Sequence, residues 1–278
     1  MQCNSDLLTT LSLRGPAATV EEPKIPAHIG DYAITRWLGA GGMGTVYEGC
    51  HMALDRWAAI KVLRAKLQTC RLAEQQLVRE ARALAQIQHP NIVLLFELGR
   101  CDDGAFIAME LVTGTTLREW LHTTRATPEI LDIFLAIGDA LLTVHSHDLV
   151  HRDVNPSNVF VSHDGTPKLG DFGLVAPAQQ RDEYVVGTAP YMAPEQMVGE
   201  PVDARGDQYA FCVSLYEALA GELPDGSPAN PLPRPLRSII SQGLAADPDR
   251  RFPSMRELLV ALASARRSLA RRWISPRA

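Results

Sequence analysis

The sequence that decides the fold begins at residue 151, where residues 151–158 read HRDVNPSN. The tripeptide DFG follows at residues 171–173, and residues 187–195 read GTAPYMAPE. The first half of the chain carries two further patterns, GAGGMG at residues 39–44 and AAIKVL at residues 58–63. Chance occurrence of all these patterns in this order is negligible, so they need one common explanation.

The glycine-rich stretch at residues 39–44 fits G-x-G-x-x-G, which alone is a weak signal because glycine clusters are usually turns. A dinucleotide-binding fold requires a helix directly after these glycines. Here residues 45–48 read TVYE, which is β-branched and aromatic and predicts a strand. The pattern therefore favours a strand–glycine loop–strand hairpin, whose backbone N–H groups could cover a triphosphate, over the dinucleotide-binding fold.

Lys61 is a charged residue within the otherwise apolar strand at residues 58–63. A lysine at a sheet edge can extend its ammonium group to water. A partly buried ammonium group instead needs a carboxylate or phosphate partner, because burying an isolated charge is costly. A helix predicted over residues 71–87 offers Glu80, which shares a helix face with apolar residues. A Lys61–Glu80 pair would satisfy both charges.

Together these patterns resemble the full signature set of protein kinases, in its proper order. HPNIV at residues 89–93 and DQYAF at residues 207–211 are similar to eukaryotic-like (Hanks-type) bacterial serine/threonine kinases in particular. The resemblance covers about residues 29–268. It implies an α+β, bilobal protein-kinase fold.

The predicted organisation has four parts. These are a flexible extension at residues 1–28, a small β-rich lobe at 29–112, a larger helical lobe at 113–268 and a basic tail at 269–278. The predicted strands of the small lobe are Tyr32–Leu38, Thr45–Glu48, Trp57–Leu63, Val93–Leu98 and Phe106–Leu111. In the large lobe, Thr127 and Pro128 predict the start of a helix, whose apolar face comprises Ile130, Phe134, Ile137, Leu141 and Val144. A second helix is predicted over Gln208–Ala220 and ends at Gly221. The capping pair of Ser254 and Glu257 predicts the start of a last helix.

The resemblance also implies roles for individual residues in phosphoryl transfer. Asp153 would accept the proton of the substrate hydroxyl, and Thr188 would contact Asp153. Lys61 would hold the α- and β-phosphates of ATP, oriented by Glu80. The metal ligands for Mg²⁺, or Mn²⁺, would be Asn158 and Asp171, since hard cations prefer oxygen ligands.

A nucleotide pocket follows from the same resemblance. Met109 would be the gatekeeper of the adenine pocket, and the backbone of Glu110 and Val112 would meet the base. The predicted nucleotide-binding residues are Leu38, Gly39, Ala40, Gly41, Gly42, Met43, Gly44, Val46, Ala59, Lys61, Met109, Glu110, Val112 and Phe160. Two architectural contacts are also implied, an ion pair of Glu195 with Arg251 and a contact of Asp207, at the start of a buried helix, with the backbone of the catalytic loop.

Three features depart from the kinase pattern. Asn155 stands where these kinases usually carry a lysine that steadies the γ-phosphate, and its amide could donate a hydrogen bond there without a charge. The segment between Gly173 and Gly187 contains no serine or threonine. The stretch Gly221–Arg237 is rich in proline and short for the helix usual in that part of the fold.

Composition narrows the class of function. The net charge of −5 argues against a nucleic-acid-binding surface. No apolar stretch approaches the roughly 18–20 residues of a membrane-spanning helix, and the 5 cysteines form no C-x-x-C pair. We therefore expect a cytoplasmic enzyme with reduced thiols.

The predicted activity is transfer of phosphate from Mg-ATP to serine and threonine hydroxyls of proteins in bacterial signalling, with autophosphorylation also expected. The alternatives are a pseudokinase that serves as a nucleotide-binding or scaffold module, which only Asn155 favours, and a small-molecule kinase, which the peptide-platform motif at residues 187–195 disfavours.

Overall fold

The computed structural model describes residues 25–40, 44–63, 78, 81–82, 85–101, 104–172, 175–179, 187–224 and 232–274. The first part of these residues forms an antiparallel sheet with the strand order β1-β2-β3-β4-β6-β5. Its strands are β1 (His28–Ile29), β2 (Tyr32–Ala40), β3 (Gly44–His51), β4 (Arg56–Leu63), β5 (Leu95–Cys101) and β6 (Gly104–Glu110).

One face of this sheet forms a small core of its own. Successive side chains of a strand point to opposite faces, and alternate residues of β4, namely Ala58, Ile60 and Val62, are buried. They cluster with Tyr32 and Phe106, whose rings meet edge to face at 6.2 Å. The remaining residues of β4 therefore face the other side of the sheet.

The second part is mostly helical and holds the larger core. Its helices are α1 (Leu117–Trp120), α2 (Thr127–His145), α3 (Pro194–Met197), α4 (Ala204–Ala220), α5 (Arg234–Gly243) and α6 (Met255–Ile274). Its short strands are β7 (Gly114–Thr116), β8 (Leu149–Val150), β9 (Val159–Ser162), β10 (Pro167–Leu169) and β11 (Ala176–Pro177). These strands pair in the orders β10-β9-β7 and β11-β8. The described architecture is thus a β-rich lobe followed by a helical lobe.

Helix α2 lies at the centre of the large lobe. It begins at Thr127 with Pro128 in its first turn, as the sequence predicts. Its predicted apolar face is buried, which confirms that pattern: Ile130, Phe134, Ile137, Leu141 and Val144. Phe134 meets Phe211 of α4 edge to face at 5.2 Å. A Cβ atom at Gly138 would lie 2.2 Å from Leu259 Cδ2, so this glycine permits the close approach of α6.

Helix α4 begins earlier than the sequence predicted. Asp203 is its N-cap, and its carboxylate accepts a hydrogen bond from Arg205 N, so the helix starts at Ala204 and not at Asp207 or Gln208. The predicted end is confirmed, because Gly221 adopts the left-handed conformation at φ 82°. Asp207 consequently lies within the first turn of α4.

The other predicted elements are present with shifted ends. The predicted strand at Val93 begins only at Leu95, because Val93 N donates to Leu169 O of the large lobe instead of to a neighbouring strand. In the range 71–87, the described residues 78, 81–82 and 85–86 are helical. Helix α6 starts after Ser254, which accepts from Arg256 N and binds Glu257. Within the ranges given above, no helix combines the length and apolarity needed to cross a membrane.

Candidate active site

The second face of the small-lobe sheet carries the predicted nucleotide-binding residues. Val46 lies opposite Lys61, and Ala59 lies opposite Met109. Directly opposed residues of neighbouring strands share a face, so these four side chains line one surface. The glycine-rich stretch follows at the end of β2, where Gly39 also pairs with Val46.

The rest of the glycine-rich stretch is partly described. Leu38 is 37% exposed at the edge of this surface, and Ala40 pairs with Thr45. Gly44 opens β3 and is buried. Gly41, Gly42 and Met43 lie outside the described residues. The hairpin predicted from residues 45–48 is confirmed by the antiparallel pairing of β2 and β3.

Lys61 reaches across to the large lobe. The residue is 8% exposed, and its Nζ atom lies 2.9 Å from Asp171 Oδ1. A largely buried ammonium group needs such a partner. The sequence instead predicted Glu80 as the partner of Lys61, and Glu80 lies outside the described residues. Lys61 and Asp171 therefore join the two lobes at the cleft.

Asn158 is held close to Asp171 through the backbone. Gly170 N, which directly precedes Asp171, donates to Asn158 O at 2.9 Å. The Nδ2 atom of Asn158 donates to Asp153 Oδ2 and to Asp153 O, both at 2.8 Å. This orientation leaves Asn158 Oδ1 as the side-chain oxygen available to a cation. One amide and one carboxylate oxygen fit the preference of Mg²⁺ for oxygen ligands.

The carboxylate of Asp153 accepts hydrogen bonds from both sides. Thr188 donates to Oδ1 from its backbone N at 3.0 Å and from Oγ1 at 2.6 Å, and Asn158 donates to Oδ2. A carboxylate has about four acceptor sites. The Oδ2 atom therefore retains capacity for a further donor, such as a hydroxyl group.

Asn155 is nearly enclosed at 2% exposure. Its Nδ2 atom donates to Asp153 Oδ1 and to Asp153 O, both at 3.1 Å. The structure thus places this amide against Asp153, whereas the sequence suggested a phosphate as its acceptor.

The backbone of this loop is fixed by the fully buried Asp207. Its carboxylate accepts from His151 N and Arg152 N, each at 2.8 Å, and lies 2.8 Å from His145 Nε2. Burial acts to raise the pKa of Asp207, but the hydrogen bond and charge of His145, with His151, outweigh it, so the pKa lies below its usual value. The predicted contact of Asp207 with the catalytic loop is confirmed.

His151 connects this loop to the segment of Asp171. Its Nδ1 atom faces Asp153 N at 3.3 Å and can only accept there, so Nε2 carries the proton and donates to Gly170 O at 3.1 Å. Its ring packs edge to face on the buried Phe172 at 4.8 Å. His151 therefore ties the positions of Asp153 and Asp171 together.

The platform at residues 187–195 is anchored by the predicted ion pair, which is confirmed. Arg251 binds the two carboxylate oxygens of Glu195 through Nη1 and Nη2, at 2.6 and 2.7 Å, in a buried bidentate geometry. Gly187 begins the platform at φ 129°, and a Cβ atom there would lie 2.7 Å from Gln196 Nε2. That nitrogen donates to Arg152 O at 2.8 Å. The platform and the catalytic loop thus form one unit.

The segment between the lobes has a contact that the sequence reasoning missed. Lys168 of β10 lies 3.0 Å from Glu110 Oε2 and donates to Pro90 O at 3.0 Å. Two lone charges in apolar strands could have signalled this pair. Val112 follows Glu110 beyond β6. Phe160 lies beside Gly170, where a Cβ atom would be 2.8 Å from its Cε2 atom.

A second missed network surrounds Arg118 of α1. Its guanidinium group donates to Ser157 Oγ at 2.9 Å, to Glu217 Oε1 at 3.1 Å and to Tyr191 Oη at 2.5 Å. Burial, followed by the hydrogen bond to Glu217, raises the pKa of Tyr191. These partners are far apart in the chain, so no local pattern could have predicted the network. It joins the catalytic loop, the platform and α4.

Lys61 and Asp171 meet in the cleft between the lobes, and Asn158 and Thr188 connect Asp153 to the same region beside the platform at residues 187–195. The family described as protein kinase domain matches residues 32–231. The chain belongs to this family, and its relatives place it among the eukaryotic-like (Hanks-type) bacterial serine/threonine kinases. It is 34% identical to the serine/threonine-protein kinase Pkn1 of Myxococcus xanthus, over 92% of this chain and 42% of that protein. It is 32% identical to PrkC of Bacillus subtilis, over 82% of this chain and 39% of that protein.

Solved structures agree with the bilobal α+β fold. The PknI kinase domain of Mycobacterium tuberculosis superposes with a TM-score of 0.68 at 30% identity, covering 89% of this chain and 99% of that domain. A double mutant of that domain gives a TM-score of 0.70 at 32% identity, covering 84% of this chain and 95% of that domain. The chain spans less than half the length of the two curated relatives named above. Protein kinases as a family use ATP and a divalent metal ion, generally Mg²⁺.

Proposed function

We propose that this chain is an active protein kinase that transfers the γ-phosphate of Mg-ATP to serine and threonine hydroxyls of proteins. The observation that carries the proposal is the environment of Asp153. Thr188 of the platform and Asn158 hold opposite oxygens of its carboxylate. That arrangement presents one free acceptor site at the junction of the platform and the cleft.

Each of these residues of the cleft would have a separate role in phosphoryl transfer. Lys61 places a positive charge where the α- and β-phosphates would lie, and its contact with Asp171 shows that it reaches the cleft. Asn158 and Asp171 would hold Mg²⁺, or Mn²⁺, which neutralises phosphate charge when bound. Asp153 Oδ2 would accept the proton of the attacking hydroxyl. Val46, Ala59 and Met109 would enclose the adenine, with the backbone of Glu110 and Val112 meeting its edge.

The names of the same relatives support a proposal for the biological setting. We propose a role in bacterial signalling in the cytoplasm, with autophosphorylation as one activity, since the similar proteins are named serine/threonine-protein kinases. The domain limits at residues 29, 113 and 268 belong to this proposal. A pseudokinase is not favoured, because Lys61, Asp153, Asn158 and Asp171 are all present in the sequence.

The direct test is transfer of labelled γ-phosphate from ATP to a generic protein substrate such as casein, with Mg²⁺ present or chelated. We expect Mg²⁺-dependent labelling by the wild type and only background labelling by Asp153→Ala. Nucleotide binding without any transfer by the wild type would instead indicate the pseudokinase function.

A further inference from the structure

The side chain of Asn155 contacts three other residues of the catalytic loop and the platform. Besides its two bonds to Asp153, its Nδ2 atom lies 3.4 Å from Thr188 Oγ1. Its Oδ1 atom accepts from Ser157 N at 2.9 Å. Every polar atom of this side chain therefore has a protein partner within the catalytic loop or the platform.

These contacts fix which way the amide faces. The backbone N of Ser157 is a donor, so it requires the oxygen of the amide and not the nitrogen. The nitrogen of Asn155 must then face Asp153, whose carbonyl and carboxylate are acceptors only. Rotating the amide toward a phosphate would leave Ser157 N and two oxygens of Asp153 without these partners at a site that is 2% exposed.

We propose that Asn155 is a positioning residue that sets the carboxylate of Asp153, and not a ligand of the γ-phosphate. Three atoms form a ring of contacts. Thr188 Oγ1 and Asn155 Nδ2 both donate to Asp153 Oδ1, and these two donor atoms also face each other. The ring occupies Oδ1 fully. It leaves Oδ2 as the oxygen that meets the substrate hydroxyl.

A neutral amide is sufficient for this task. The donor of the ring needs only a hydrogen, and a short side chain suits the enclosed position between Asp153 and Thr188. The positive charge that stabilises the transferring phosphate would then come from Lys61 and from the cation that Asn158 and Asp171 would hold. The inference rests on the proposed kinase activity and specifies how its base is oriented.

The test uses two variants of Asn155 with the intact chain. Asn155→Asp keeps the shape and the acceptor for Ser157 N, but replaces the donor with an oxygen that repels the carboxylate of Asp153. Asn155→Ala removes all contacts. We expect each variant to lower kcat by about 10²-fold, within the range for loss of a well-placed general base. The Kd values of Mg-ATP and Mg-ADP, measured by calorimetry, should stay within about twofold of the wild type, because no phosphate contact is lost.

A double-mutant test with Thr188 distinguishes a positioning role of Asn155 from a general effect on stability. Thr188→Val removes the hydroxyl group of the ring, whereas Thr188→Ser keeps it. If the ring acts as a unit, Asn155→Ala combined with Thr188→Val lowers kcat hardly more than either change alone, and Thr188→Ser retains most activity. Melting temperatures measured on every variant show whether the fold is kept.

Four results would overturn the inference. Weaker binding of Mg-ATP but not of Mg-ADP by the Asn155 variants would make this residue a γ-phosphate ligand. Unchanged kcat in an active protein, or strictly additive effects with Thr188→Val, would deny it a role in setting Asp153. Absence of transfer by the wild type would overturn the proposed function itself and the inference with it.

Discussion

At the scale of single residues, the two oxygens of Asp153 have different surroundings. Oδ1 accepts from Thr188 and Asn155, and Oδ2 accepts only from Asn158 among the described contacts. A base must keep one oxygen accessible while the other is held still, because proton transfer requires hydrogen-bond distance to the hydroxyl. This asymmetry is what the proposed chemistry requires.

We expect Asp153→Ala to lower turnover by about 10²–10⁴-fold, the usual contribution of general base catalysis. Its Kd for Mg-ATP should stay near the wild-type value, because the carboxylate acts on the hydroxyl and not on the nucleotide. Asp171→Ala should instead weaken Mg²⁺-dependent ATP binding. Kinetics and calorimetry on the two variants check this difference. Near-wild-type turnover of Asp153→Ala would show that another group is the base.

Sequence reasoning was strongest for residues with a fixed motif and weakest for their partners. The isolated charge of Lys61 predicted a carboxylate or phosphate partner, and Glu80 was the carboxylate expected. The structure shows Asp171 at 2.9 Å instead, a residue distant in the chain, while Glu80 lies outside the described residues. The role of Asn155 was also open, because a motif gives a position but not the direction of an amide. Its direction depends on Ser157 N, a backbone contact without a sequence signal.

At the scale of elements, helix α4 supports the catalytic loop through Asp207 in its first turn. An asparagine there has only one oxygen, so its NH₂ group would oppose one of the backbone donors of His151 and Arg152. We expect Asp207→Asn to lower the free energy of unfolding by about 1–3 kcal/mol, the cost of a buried unsatisfied group. Urea unfolding at neutral pH measures this loss.

The pH dependence of that loss follows from the lowered pKa of Asp207. A carboxylate with a folded pKa below its unfolded value of about 3.9 contributes stability above that pH, and the contribution is lost as pH falls through the folded pKa. The gap between wild type and Asp207→Asn should therefore shrink below about pH 4. Asp31→Asn, at an exposed carboxylate in the turn between β1 and β2, serves as the control. A gap that widens on acidification would contradict the account.

The segment between Gly173 and Gly187 yields a prediction from sequence alone. It contains no serine or threonine, and Asp182 and Glu183 stand beside its single tyrosine, Tyr184. These three residues lie outside the described residues. In the kinases that this chain resembles, the arginine before the catalytic aspartate pairs with a phosphate on this segment and orders it. A carboxylate can give Arg152 such a charge-assisted partner without any modification.

We therefore expect phosphatase-treated protein to remain active, and the double change Asp182→Ala with Glu183→Ala to lower activity more than either single change. Transfer rates before and after phosphatase treatment provide the measurement. Activity that disappears on treatment and returns only with phosphorylated Tyr184 would show that this segment is switched by modification.

At the scale of the whole molecule, the order of lobes and most elements could be predicted, because strand and helix periodicities are local. The sheet order β1-β2-β3-β4-β6-β5 could not, since it places β6 beside β4 and β5 at the edge. The start of α4 was placed too late because Asp203, which caps the helix, is of a residue type that is also common in loops. Contacts between lobes, such as Lys168 with Glu110, depend on this assembly.

The measurement that tests the central claim most directly is identification of the phosphorylated residues by mass spectrometry. A protein substrate is incubated with Mg-ATP and either the wild type or Asp153→Ala, and each phosphorylated site is assigned. The account predicts phosphoserine and phosphothreonine with the wild type and a loss of both with Asp153→Ala. Phosphate confined to tyrosine, or none at all with a folded, ATP-binding wild type, would contradict it.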